Sequence, residues 1–240
     1  MMSVAHGRAC SPGGHGLGLP RLPWGAVPAG VVLGVVVVAS GLWLKDLGPG
    51  SPDRGLVDLV QQARSPALDV LTLVLRYGLS VPAAIGWLVL AGTVLWVRDR
   101  TPRRAVVFVS LLVPGWVVTA GLKVVVERPR RPRGVALFGQ LQEVGPHSFP
   151  SAHAAIGAGI ACAVVLVFCW PRGAVARVAG ILLGLCFAVT AGWSRVYLGV
   201  HHPGDGLGSI RLTVTAELVR LPVLARLLQP PGHDKSEPRQ

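Results

Sequence analysis

AAIGAGIACAVVLVFCWP, Ala154 to Pro171, runs for 18 residues without a charged side chain. The hydrocarbon layer of a bilayer is about 30 Å thick and takes roughly 17–25 helical residues to cross. A run of this length and composition therefore reads as a membrane-spanning helix. Four other uncharged runs fit the same window: Gly25–Leu44 with 20 residues, Tyr77–Val97 with 21, Ala105–Leu122 with 18 and Val178–Ser194 with 17. Of the 240 residues, 51% are hydrophobic and 14% charged. A soluble domain carries about a quarter charged residues. The chain thus reads as all-α, a polytopic membrane bundle.

Outside these runs the composition changes. Residues 1–24 are rich in Gly and Pro and are expected to form a disordered tail. The first apolar run is longer than the core of about 7–15 residues of a cleaved signal peptide, which favours an uncleaved anchor helix. Spans are expected at 25–44, 77–97, 105–125, 152–170 and 176–193. Between the first two, Leu56, Val57, Leu59, Val60 and Ala63 suggest a short amphipathic helix on the membrane surface. A sixth span is expected at 206–228. It is the most polar, with Arg211, Glu217, Arg220 and Arg226. A charge at the centre of a span costs about 2.5–3.5 kcal/mol on insertion scales. An interfacial helix is the alternative there. The membrane domain is thus 25–228, followed by a disordered tail at 229–240. Trp24, Trp43, Trp96, Trp170 and Trp193 stand at the ends of runs, as an aromatic belt would, while Trp87 and Trp116 read as packing residues. Cys162, Cys169 and Cys186 lie in or beside apolar segments and Cys10 in the tail, without metal-site spacing, so they read as small hydrophobes.

The net charge of +12 does not point to nucleic acid, because Lys and Arg sit in short segments beside apolar runs and no soluble basic domain carries them. By the positive-inside rule, RDRTPRR (98–104) and PRGAVAR (171–177) mark the cytoplasmic side, with the N-terminus also inside. The 127–149 loop then falls outside, although it holds Arg128, Arg130, Arg131 and Arg133. Basic residues on that side need another reason, and binding an anion is one.

Three polar clusters share that outer face: Lys123 with Arg130, Ser151 with His153, and Arg195 with His201 and Asp205. Lys123, Arg130 and Arg195 supply three cations. The planar fork of arginine matches phosphate oxygens two at a time. Ser151 opens the fourth span, where free backbone N–H groups favour an anion. These features suit a phosphoryl group. No Asp/Glu-rich cluster is present in the sequence to hold Mg²⁺, so no metal or other cofactor is expected. His201 is a competent nucleophile near neutral pH. Asp205, four residues on, can accept its Nδ1 proton, and His153 can protonate a leaving oxygen.

These residues resemble the motifs of the type 2 phosphatidic acid phosphatase (PAP2) superfamily. KVVVERPR, Lys123 to Arg130, is similar to the first motif. PSAH, Pro150 to His153, resembles the second, usually PSGH. SRVYLGVHHPGD, Ser194 to Asp205, resembles the third. The resemblance implies a six-helix, metal-independent membrane phosphatase working through a phosphohistidine intermediate. It makes His201 the nucleophile, Asp205 its partner and His153 the acid, with Lys123, Arg130, Ser151 and Arg195 as phosphate ligands. The chain departs from the motifs at Arg131, where proline is usual, at Glu127, where a small residue is common, and at Ala152, where glycine is usual. His202 is assigned no role.

The expected substrate is a membrane lipid phosphate or diphosphate: phosphatidic acid, phosphatidylglycerophosphate, or an isoprenyl diphosphate such as undecaprenyl diphosphate. The expected location is the cell membrane, with the site facing outside the cytoplasm. A catalytically silent lipid-phosphate binder would keep the cations but has no need of His153, His201 and Asp205 together. A vanadate-dependent haloperoxidase has a similar anion pocket but is soluble, and a transporter would show an internal repeat. The orientation is open to a direct check. A reporter fused after Arg104 is expected to remain inside and one fused near Gln142 to be exported; the reverse pattern would place the site on the cytoplasmic face.

Overall fold

The computed structural model describes residues 19–20, 22–130 and 145–227. Most of the tail expected at 1–24, the tail at 229–240, Cys10, Arg131 and Arg133 lie outside the described residues. Eight α-helices follow in order: α1 Ala26–Asp46, α2 Asp53–Gln62, α3 Pro66–Gly78, α4 Val81–Asp99, α5 Arg103–Val126, α6 Ala152–Val164, α7 Ala174–Tyr197 and α8 Pro203–Leu227. A wider π-helical turn, Val165–Cys169, prolongs α6.

α6 is the inner helix, with α5, α7 and α8 packed around it. Its buried side chains are small, among them Ala154, Ala155, Gly157, Ala158 and Gly159. Small residues let helices approach closely where apolar lipid supplies no hydrophobic drive to associate. α1 lies along α8 on one side and α4 along α5 on another. Val32 and Val35 of α1, and Leu182 and Leu183 of α7, remain exposed on the outside. Such an apolar exterior suits lipid. Among the described residues, five helical segments are long and apolar enough to cross a membrane: α1, α4, α5, α6 with its extension to Arg172, and α7.

The sixth expected span is α8, whose 25 residues extend about 37 Å at 1.5 Å each. Part of its polar complement points inward, while Arg211 and Arg226 are exposed. Ser209, Thr213 and Glu217 are buried, and Arg220 reaches Glu217 at 3.4 Å. Its weak hydropathy thus reflects in part a stripe that contacts protein rather than lipid.

Two boundaries differ from the sequence reading. The second span was expected at 77–97, but α3 ends at Gly78 and α4 begins at Val81. Ser80 caps α4, its Oγ accepting from the Ala83 N–H, with Pro82 in the first turn. Trp87 closes this corner by donating from Nε1 to the Gly78 carbonyl at 2.9 Å. At the other end of the bundle's sequence, α7 runs to Tyr197, past the apolar run that ends at Ser194. An apolar run reports where lipid ends, and the helix continues into protein.

Phe149 connects the loop before α6 to two other helices. Its ring is fully buried and fills the space between Gly41 of α1 and Gly208 of α8. A Cβ at either glycine would stand 2.5 Å from the ring. Gly208→Ala is therefore expected to lower the melting temperature in detergent, since overpacking costs about 1–3 kcal/mol. Adding Phe149→Leu should recover part of the loss. An alanine variant as stable as the parent would show that the ring moves aside freely.

Candidate active site

The turn after α7 sets the geometry of the site. Gly199 adopts a left-handed backbone, φ +73°, as helix-ending glycines do. The next residues fold back, so that the N–H groups of Val200 and His201 both meet the carbonyl of Arg195, at 3.2 and 3.3 Å. This delivers His201 beside the first turn of α8, where Asp205 waits. His201 Nδ1 donates to Asp205 Oδ2 at 3.2 Å. Both residues are almost wholly buried.

On the far side of the ring, Arg130 Nη1 lies 3.1 Å from His201 Nε2. A guanidinium only donates, so Nε2 presents its lone pair and Nδ1 carries the hydrogen. Burial holds the His201 imidazole well below the usual histidine range, against the pull of Asp205 and with the help of the Arg130 and Lys123 charges. A ring held this way is neutral, with its Nε2 lone pair directed at Arg130.

The remaining expected residues gather around this pair. A cavity of about 280 Å³ is lined by Lys123, Arg130, His153 and His201, together with Arg76, Tyr77 and Ser80. Lys123 Nζ, in the last turn of α5, donates to the His147 carbonyl at 3.2 Å. Arg130 also donates to the carbonyls of Gly145 and Val200. His153 Nε2 meets the Arg76 carbonyl at 3.1 Å, and since a carbonyl only accepts, that nitrogen carries hydrogen. Ser151 and Arg195 are fully buried and do not line this cavity. The Ser151 hydroxyl has no hydrogen-bond partner among the described residues, although its backbone N–H is held by the Asp205 carbonyl at 3.2 Å. Its carbonyl accepts from Ser209 Oγ at 2.8 Å. A buried hydroxyl with unused hydrogen-bonding capacity has room for one more partner.

Several residues escaped the sequence reading. Arg76 lines the cavity, and its only sequence signal is a lone charge between two apolar segments. Arg128 donates to Asp205 Oδ1 at 2.8 Å and to Asp53. It had been counted only among the basic residues of the loop. His202, assigned no role, is fully buried. Its backbone N–H donates to Asp205 Oδ2 at 2.9 Å and its Nδ1 lies 3.4 Å from the same oxygen. Glu127, where a small residue is usual, ends α5 in a left-handed conformation, φ +52°. That conformation favours glycine, which has no Cβ to strain. Its carboxylate faces Lys45 of α1 at 3.9 Å.

The PAP2 superfamily profile matches residues 104–226. The chain belongs to the PAP2 superfamily. A solved structure of a transmembrane PAP2-type phosphatidylglycerolphosphate phosphatase from Bacillus subtilis has the same fold, with a TM-score of 0.66 and 21% identity, covering 84% of this chain and 98% of that one. No curated protein matches at a significant level. Family and fold together support a membrane lipid phosphatase.

The burial of His202 carries a prediction for this PAP2 protein. His202→Ala should lower the melting temperature in detergent by an amount equivalent to about 2 kcal/mol, as large-to-small core changes do. It should reduce turnover far less than His201→Ala. A His202→Ala protein with unchanged stability would show that the ring does not support the Asp205 pocket.

Proposed function

We propose that the protein hydrolyses a phosphate or diphosphate ester of a membrane lipid, without a metal ion, through a phosphohistidine on His201. The observation that carries this reading is the orientation of His201. Its Nε2 lone pair faces Arg130 at the cavity wall, and its Nδ1 hydrogen is held by Asp205. Phosphatidic acid, phosphatidylglycerophosphate and isoprenyl diphosphates all fit an anion cavity that meets a lipid-facing bundle.

In the first step Nε2 attacks phosphorus and the bond to the leaving oxygen breaks. His153 gives its proton to that oxygen. The ring becomes cationic while Nδ1–H stays with Asp205, which orients it and stabilises the charge. Lys123, Arg130, Arg195 and the N–H groups at the start of α6 hold the phosphoryl oxygens, with Ser151 adding a hydroxyl donor. In the second step water attacks phosphorus, the N–P bond breaks, and His153 takes the proton from water. Inorganic phosphate leaves. The positive-inside pattern of the loops supports a site on the extracytoplasmic face.

Phosphate release by purified protein in detergent, from a panel of lipid phosphates, tests the proposal. Activity is expected to survive excess EDTA, and loss on chelation that Mg²⁺ restores would contradict the metal-free site. His201→Ala should abolish turnover. His153→Ala should lower it by about 10²–10⁴-fold for an alkyl phosphate, and much less for an aryl phosphate whose leaving group needs little protonation. A His202 variant that is dead beside a His201 variant that turns over would mean that the nucleophile is the other histidine.

A further inference from the structure

Arg128 is 2% exposed and sits behind the catalytic pair rather than in the cavity. Its guanidinium makes four hydrogen bonds. Nη2 donates to Asp53 Oδ1 at 2.7 Å and to Ser51 Oγ at 3.0 Å, while Nη1 donates to Asp53 Oδ2 at 3.0 Å and to Asp205 Oδ1 at 2.8 Å. Asp53 therefore grips the fork with both oxygens, which fixes its plane. The remaining Nη1 hydrogen is then aimed at one oxygen of Asp205.

We infer that Arg128, clamped by Asp53 at the start of α2, is a positioning residue for the Asp205–His201 pair. This rests on the reading of His201 as nucleophile. The two Asp205 oxygens have separate duties. Oδ1 is taken by Arg128, and Oδ2 is left for His201 Nδ1 and the His202 N–H. Without the first anchor the carboxylate is free to turn about its Cβ–Cγ bond, and His201 loses its orientation.

The anchor is itself held from several sides. Asp53 accepts from the Gly204 N–H at 3.2 Å and from the Ser51 hydroxyl. A Cβ on Gly204 would stand 2.7 Å from Asp53 Oδ2 and 2.6 Å from Leu44 Cδ1. The corner between α1 and α2 is thus pressed against the residue just before Asp205. Despite burial, the hydrogen bonds and charge of Arg128 keep the Asp53 carboxyl below its ordinary range.

The charge balance favours catalysis. Asp53 and Asp205 carry two negative charges, and Arg128 carries one positive charge. With His201 neutral, these three side chains hold one surplus negative charge. Attack on phosphorus places a positive charge on the imidazole, next to that surplus. A fixed charge that meets the developing one lowers the barrier without reorganisation.

The test uses the full chain in detergent, with phosphatidic acid and an aryl phosphate as substrates. Arg128→Lys keeps the charge and loses the fork, and Asp53→Asn keeps the shape and loses the clamp. Each is expected to lower kcat about tenfold to a hundredfold, as small misplacements of catalytic groups do. KM should stay within about twofold, because neither residue lines the cavity. Arg128→Gln should fall further than Arg128→Lys. Adding Asp53→Asn to Arg128→Gln should cost little more in kcat, because Asp53 acts through Arg128. If Arg128→Gln does not fold, the Lys and Asn variants decide. Wild-type kcat in both would overturn the inference, as would a raised KM at unchanged kcat, which marks a phosphate ligand. His201→Ala in the same assay separates the two claims. If it is dead while Arg128→Lys and Asp53→Asn turn over normally, only the positioning role fails. If His201→Ala turns over normally, the nucleophile reading fails and the inference with it.

Discussion

A carboxylate with no exposed surface cannot stay ionised unless every lost water contact is replaced. Asp205 meets this constraint, and much of the bundle's polar interior is organised to satisfy it. Arg128 arrives from the segment after α5 and His201 from the turn after α7, while the N–H of His202 closes the first turn of α8. Two of these donors, His201 and His202, are neighbours in the turn before α8, and the third comes from a segment far earlier in the chain. Removing one partner of such a cluster typically costs about 3–5 kcal/mol, because the charge left behind remains buried. The candidate site and the fold are therefore not separable at this point: the carboxylate that holds His201 also ties the segment after α5 and the turn after α7 to the start of α8.

The short segment from Arg128 to Arg130 shows how few residues this takes. Ser148 donates its N–H to the Arg128 carbonyl at 2.7 Å, and Arg130 donates to the Pro146 carbonyl at 3.2 Å. Pinned this way, the segment sends Arg128 to one end of the histidine–aspartate pair and Arg130 to the other. One arginine meets the carboxylate and the other meets the ring nitrogen that faces the cavity. An electrophile entering the cavity would meet Arg130 and the lone pair together.

Much of this was legible in the sequence, and the reasons differ from element to element. The spans α1, α4, α5, α6 and α7 were visible because lipid contact demands uninterrupted apolar runs. α8 was harder, since its inward face carries Ser209, Thr213 and Glu217 and hydropathy cannot tell a protein-facing polar stripe from a water-facing one. Lys123, Arg130, His153 and His201 were singled out because polar side chains at span ends stand out against apolar neighbours, and the four line one cavity. Arg128 and Asp53 were missed because their partners are 75 residues apart in the chain. No local periodicity encodes such a pairing. The break between α3 and α4 was written in Ser80 and Pro82, but the apolar run across it masked the signal.

The seat of Phe149 bears on how the protein can be divided. The superfamily profile begins at residue 104, which invites treating α1 to α4 as an accessory anchor. Yet α1 supplies half of the socket for the ring that holds the loop before α6, through Gly41. A polypeptide starting at α5 would keep all seven side chains assigned to the chemistry and lose the wall against which that loop is braced. The unit that braces this loop is thus larger than the region that the family profile covers. Chimeras that exchange N-terminal anchors between members would have to match the ring and its glycine as a pair.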